Sequence, residues 1–260
     1  MGRLSEIIAN YTIANFLFDL YLAAIAYAYM FISILIPVFL KKKNLISKFV
    51  ARKIVHLFTG LAVLIVPFLI LPLHAIYISL SMTVMVYFSS RDSSVQKLHE
   101  LYESIGEEAE EKIGRLQGPF HYCLSITILV TIFTLFAPDK FYFPICGILI
   151  MIISDTLASI IGKRYGRIKI APSYTNSQRT FEGSMVFLIS AFVLCFSTFY
   201  FYGFDHTVTQ KVLTLELVFA YSIITSLTVT LIELFSPSVL DDLTVPIATT
   251  IVIYFIELLF

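Results

Sequence analysis

Apolar residues along this chain come in long uninterrupted runs, unlike the alternating or striped patterns of a water-soluble domain. Crossing a hydrocarbon core as a helix takes about 20 such residues. The runs lie at roughly 15–40, 54–71, 73–89, 119–136, 141–161, 183–203, 213–234 and 243–260. The second and third crowd around Pro67 and Pro72 and also read as one broken hairpin, so seven or eight spans are expected. The last run carries Thr244, Pro246, Thr249 and Thr250, which suits a shallow or partly buried span. The pattern predicts an all-α polytopic membrane protein, built as a single membrane-embedded domain over residues 1–260.

One long polar insertion interrupts it. Over 91–117, Val95, Leu98, Leu101, Tyr102, Ile105, Ala109, Ile113 and Leu116 recur at helical spacing, opposite Glu100, Glu103, Glu107, Glu108, Glu110 and Glu111. This predicts an amphipathic helix whose glutamates stay hydrated. Gly114, Gly118 and Pro119 end it and start the next span.

Composition agrees. With 58% hydrophobic and 14% charged residues, and a mean hydropathy of +0.87, the chain is too apolar for a soluble domain of its size. Zero net charge provides no field for nucleic acid. Cys123, Cys146 and Cys195 sit in apolar runs without ligand spacing and read as small core residues, with no disulfide expected. The first run lacks a basic leader and a small-residue cleavage site, so it is expected to remain as the first span.

Basic residues are distributed asymmetrically. Threading eight spans puts Lys41, Lys42, Lys43, Lys48, Arg52, Lys53, Arg91, Lys97, Lys112, Arg115, Lys163, Arg164, Arg167, Lys169 and Arg179 on one side, and Arg3, Lys140 and Lys211 on the other. The richer side is expected to be cytoplasmic, with both termini outside. The candidate chemistry gathers on that side.

Its centre is the stretch 154–183. Asp155 is followed by Ala158, Gly162 and Gly166 on one helical face, a pattern that allows close approach of a helix or a ligand. With Lys163, Arg164, Arg167 and Lys169, it suits a Mg²⁺-nucleotide: acid to metal or water, glycines admitting phosphate, cations balancing charge. Arg179, Thr180, Glu182 and Gly183 open the next span, where helix N-terminal N–H groups favour phosphate. No GxxxxGK[ST] occurs, which argues against a P-loop.

Two further clusters share this side. Lys41, Lys42 and Lys43 read as a topological anchor, whereas Arg52, Lys53 and His56 present two cations and an imidazole on one helical face. Asp241 and Asp242 precede Pro246 and read either as helix caps or as carboxylates for a metal ion or a substrate hydroxyl. Glu233 is expected near this acidic group, and Glu216 away from it.

In order, these motifs are Arg-Lys-x-x-His with Gly60 downstream, Ser-Asp-x-x-Ala-x-x-x-Gly-x-x-x-Gly, basic-Thr-x-Glu-Gly, and Asp-Asp-Leu-Thr-Val-Pro. The series, together with the Gly118–Pro119 turn, resembles the dolichol kinase and phytol kinase family from Arg52 to Pro246. The central block also resembles the phosphatidate cytidylyltransferases. Arg179 stands where the family usually has lysine, and Asp242 where it usually has asparagine. The first departure alters phosphate geometry, and the second adds negative charge.

The resemblance implies transfer of the γ-phosphoryl group of CTP, with Mg²⁺, to the hydroxyl of a long isoprenoid alcohol. By that resemblance Asp155 and Asp241, with Asp242, hold the metal or polarise the nucleophile. Lys163, Arg179, Thr180 and Glu182 organise the nucleotide against Gly162, Gly166 and Gly183. Arg52 and Lys53 bind triphosphate, and His56 assists the acceptor as a base. CTP, a lipid alcohol and membrane lipids are the expected partners, in a plasma membrane or endoplasmic reticulum. Alternatives are a CTP-dependent diacylglycerol kinase, a cytidylyltransferase releasing pyrophosphate, or a transporter. The transporter would need ionisable groups at mid-membrane on several spans.

Overall fold

The computed structural model describes residues 5, 8–9, 11–170, 172–175, 179–204, 211–237 and 240–259, so Arg3 lies outside the described residues. The described residues form helices joined by loops, with two isolated bridges, Ser90 with Arg115 and Lys169 with Thr180, as their extended pairing. Seven helical segments among these residues are long and apolar enough to span a membrane, and Leu73–Phe88 is a shorter apolar helix. An all-α polytopic membrane protein is what the runs predicted. The chain divides into two compact units, Met1–Thr131 and Ile132–Phe260.

The first unit begins with α1 (Ile13–Lys42), which Thr12 caps by accepting the Asn15 N–H at 3.3 Å. Ser47 caps α2 (Lys48–Gly60) in the same way through the Val50 N–H. From Leu61 to Phe68 the helix tightens into a 3₁₀ stretch containing Pro67, then breaks before α3 (Leu73–Phe88). The break is held from α1. Asp19, buried in an apolar helix, accepts the Ile70 and Leu71 N–H groups, each at 2.8 Å, and the Tyr11 hydroxyl at 2.8 Å. At about 1.5 Å rise per residue α3 falls short of a 30 Å core, which fits its place in a broken hairpin.

The polar insertion forms two helices where one was expected, α4 (Gln96–Ile105) and α5 (Glu108–Ile113). Gly106 separates them: it leaves the helix with extended backbone, and a Cβ there would meet the Tyr102 carbonyl at 2.9 Å. Leu101, Tyr102, Ile105 and Leu116 pack into a core with Val38, Ala51 and Val86. The expectation of hydrated glutamates fails at Glu110, which is 5% exposed and bonded on several sides. Gly114 then ends α5 in the left-handed region, at φ 80°, and α6 (Gln117–Phe136) follows.

In the second unit α7 (Tyr142–Leu149) is buried along its whole length and packs against α9 (Phe181–Thr198) and α11 (Asp241–Leu259). Gly147 makes the second contact possible, since a Cβ there would lie 2.7 Å from the Pro246 carbonyl oxygen. A π-helical turn, Ile150–Ser154, joins α7 to α8 (Asp155–Tyr165). A second π turn, Phe199–Phe204, extends α9, and α10 (Leu215–Phe235) precedes α11. Ile189, Val193, Leu227 and Leu231 are exposed on these helices, the kind of surface that hydrocarbon covers. Cys146 and Cys195 are free and buried with their sulfurs 3.3 Å apart, while Cys123 is free and half-buried.

Candidate functional site

The central stretch folds around Thr180. Its hydroxyl caps α9 by accepting the Gly183 N–H at 3.2 Å, while the Phe181 N–H donates to the Ile168 carbonyl at 2.8 Å. The small residues serve helix approach here. A Cβ on Gly183 would lie 3.0 Å from the Ala158 carbonyl, one on Gly162 3.0 Å from the Thr180 hydroxyl, and one on Gly166 2.5 Å from the Thr180 methyl. Gly162, Gly166 and Gly183 therefore hold α8 against α9. Glu182, at the start of α9, accepts the Ile168 N–H at 3.5 Å, and Lys163, Arg164 and Arg167 are exposed beyond Asp155.

Arg179 is the hub of the site. Its side chain is 10% exposed and reaches α10 and α11 rather than solvent. Nε donates to Glu233 Oε1, Nη1 donates to the Ser236 carbonyl at 2.5 Å and to the Leu234 carbonyl at 3.4 Å, and Nη2 lies 3.5 Å from Asp241 Oδ2. A guanidinium thus caps the C-terminal carbonyls of α10 and ties them to the start of α11. Ser236 and Thr244 share a hydroxyl hydrogen bond across the same junction, and Asp241 Oδ1 accepts the Asp242 N–H at 2.9 Å.

Asp155 faces this hub from the first turn of α8, within electrostatic reach of Glu233 and Asp241. Arg179 thus pairs with Glu233 and Asp241, Asp155 lies within electrostatic reach of both carboxylates, and Asp242 lies within reach of Asp241. Glu233 Oε2 is buried without a hydrogen-bond partner among the described residues, so the site holds an acceptor to spare. Among the described residues no three His, Cys, Asp or Glu side chains converge tightly enough to hold a metal by themselves. Carboxylate oxygens in this number fit Mg²⁺ of the kind that takes one or two protein ligands and completes its shell with water and phosphate.

Arg52, Lys53 and His56 belong to the first unit, on α2. Arg52 is occupied there: Nη1 lies 2.5 Å from Glu110 Oε2 and Nε 3.3 Å from Glu107 Oε1. The His56 ring packs on Tyr122 at 4.4 Å between centroids, and the Tyr122 hydroxyl donates to the His56 carbonyl at 3.1 Å.

Three residues escaped the sequence reading. Asp19 was hidden inside a span, although a lone carboxylate in an apolar run is itself a signal. Glu110 was indistinguishable from its hydrated neighbours. Glu257, 9% exposed, pairs with Lys140 Nζ at 2.6 Å and with Lys211. It lies one helix length from Asp241, about 24 Å at 1.5 Å per residue, so it belongs to the opposite end of α11 from the Arg179 hub.

Comparison with known proteins adds the family. Over 189 residues the chain is 32% identical to the dolichol kinase of Saccharomyces cerevisiae, covering 69% of this chain and 34% of that protein. It is 26% identical over 224 residues to probable phytol kinase 1, chloroplastic, of Glycine max, covering 83% of this chain and 70% of that one. The chain belongs to the dolichol and phytol kinase family. A second soybean relative, probable phytol kinase 2, chloroplastic, is 26% identical over 155 residues, 60% of this chain and 48% of its own length. The chain thus spans about a third of the length of the yeast dolichol kinase. No family profile and no solved structure matches it.

Proposed function

We propose that this chain transfers the γ-phosphoryl group of CTP to the hydroxyl of a membrane-embedded isoprenoid alcohol. The observation that carries the reading is the pairing of Arg179 with Glu233 and Asp241, with Asp155 and Asp242 close to Asp241, in a chain whose relatives are named dolichol kinase and phytol kinase. In the reaction the acceptor oxygen forms a bond to the γ-phosphorus, the bond from that phosphorus to the bridging oxygen breaks, and CDP leaves. The hydroxyl proton passes to a carboxylate, which we assign to Asp155, in the first turn of α8 and within electrostatic reach of Glu233 and Asp241.

Mg²⁺, when bound, neutralises the charge of the transferring phosphates. Asp241 and Asp242 are the side chains that would hold it, with Arg179 fixing the position of Asp241. Phosphoryl transfer needs mainly positioning and charge compensation, and a hub locked by a buried guanidinium supplies the first. Lys163, exposed on α8, and Glu182 at the start of α9 would orient the nucleotide. The positive-inside distribution supports a cytoplasmic position for this face, where CTP is available.

The test is purified full-length chain with γ-labelled CTP, Mg²⁺ and separate prenol, diacylglycerol and phosphatidate acceptors. Label on a prenol with release of CDP supports the reading. Label on diacylglycerol alone, or pyrophosphate release with a CDP-lipid, overturns it.

A further inference from the structure

The first unit contains an apolar cleft to which the reading above assigns no role. It runs between α1, α2 with its 3₁₀ extension, α3 and the first half of α6. Its walls are β-branched and thioether side chains, among them Val55, Val63, Ile78, Met30, Met82 and Met85. Methionine is flexible and fills irregular gaps, and it adapts to a methyl-branched tail better than a rigid wall does.

One end of the cleft is polar. Arg52, His56 and Thr59 recur at intervals of four and three along α2, so a single helical face carries them into it. Arg52 is the charged residue lining the cleft among the described residues, and Glu107 and Glu110 balance its charge. An anionic headgroup would meet two carboxylates behind one guanidinium. A neutral hydroxyl meets an imidazole and suffers no such repulsion.

We propose that this cleft holds the prenyl tail of a neutral isoprenoid alcohol, with the hydroxyl at the His56 end. The inference deepens the kinase reading and rests on it for the identity of the acceptor. It makes His56 a positioning residue for the hydroxyl, and it places lipid recognition on α2, α3 and α6.

The experiment uses the full chain in phosphatidylcholine nanodiscs with geranylgeraniol carrying a diazirine at its distal end. Photolysis should label peptides within 55–66, 75–86 or 119–130, and excess geranylgeraniol should suppress the label while equal dioleoylglycerol does not. Filling the cleft with Ala62→Phe, or independently with Met82→Phe, should cut labelling about tenfold, a loss typical of a misfitted apolar pocket. Labelling elsewhere, or equal displacement by dioleoylglycerol, overturns the proposal, and the unaltered chain alone decides this if a variant fails to fold. The CTP transfer assay on the same preparation separates the two readings. Cleft labelling without transfer to any prenol refutes the kinase and leaves the cleft, whereas transfer without cleft labelling refutes the cleft alone.

Discussion

Glu110 Oε2 lies 2.5 Å from Arg52 Nη1, and the same carboxylate accepts the Glu107 N–H at 2.9 Å and the Gly118 N–H at 2.8 Å. A single acid therefore fastens α2, the start of α5 and the start of α6. Glu110→Ala should destabilise the first unit by about 3–5 kcal/mol, because it leaves a largely buried guanidinium uncompensated. Glu108→Ala should change the melting temperature little. Thermal unfolding of the two variants in the same detergent makes the comparison.

Removing Arg179 strands Glu233 in the same way. Arg179→Ala should cost about 3–5 kcal/mol, and adding Glu233→Gln should recover part of the loss. Equal melting points for the single and double variants would show that the stranded Glu233 carboxylate is not what costs the stability.

Asp155→Asn keeps shape and hydrogen-bonding capacity but removes the charge. Transfer from γ-labelled CTP should fall at least about a hundredfold, with an unchanged elution profile and melting temperature. Activity within a few-fold of the parent would take Asp155 out of the reaction.

Asp19→Ala leaves the Ile70 and Leu71 N–H groups without their acceptor, at about 1–3 kcal/mol for each buried donor. Hydrogen exchange should quicken at residues 69–72 before it changes in α10 or α11. Tyr11→Phe removes only a hydroxyl donor to Asp19 and should have the smaller effect.

Two carboxyls outside the spans provide a pH signature. A hydrogen bond from Lys42 holds Glu100 below its ordinary value of 4.5, and one from Lys48 does the same for Glu111. Because both values are depressed on folding, the stabilisation is present above about pH 4.5 and is lost as pH falls through the folded values. A Glu100→Gln, Glu111→Gln double variant should lose less melting temperature on acidification below that point. High salt should narrow the difference between the two proteins.

What could be read in advance follows from where the signal is stored. Spans are written in contiguous residues, so seven long apolar helices among the described residues fall where runs were read, most limits within a few positions, although the second begins at Lys48 instead of 54. The small-residue face of Ala158, Gly162 and Gly166 was also visible as a pattern, and the structure uses it for close approach to Thr180 and Gly183. Arg179 and Glu233 are 54 positions apart, and nothing local marks one as the partner of the other. Glu110 sits in a row of glutamates and differs from them only through the fold. The π turns leave no trace in an apolar run, because their extra residue looks like any other apolar or aromatic neighbour.

That extra residue has a consequence for how the site can vary. Each residue of an α-helix turns the chain by about 100°. The π turn at Ile150–Ser154 therefore sets the angular phase of everything after it, Asp155 first. Deleting one residue from the turn would restore a regular helix and leave every side chain of α8 intact, yet swing Asp155 roughly a quarter circle away from Asp241 and Glu233. Relatives that keep an acid at this position must therefore also keep the spacing before it, so the length of an anonymous greasy segment is under the same constraint as the aspartate it aims.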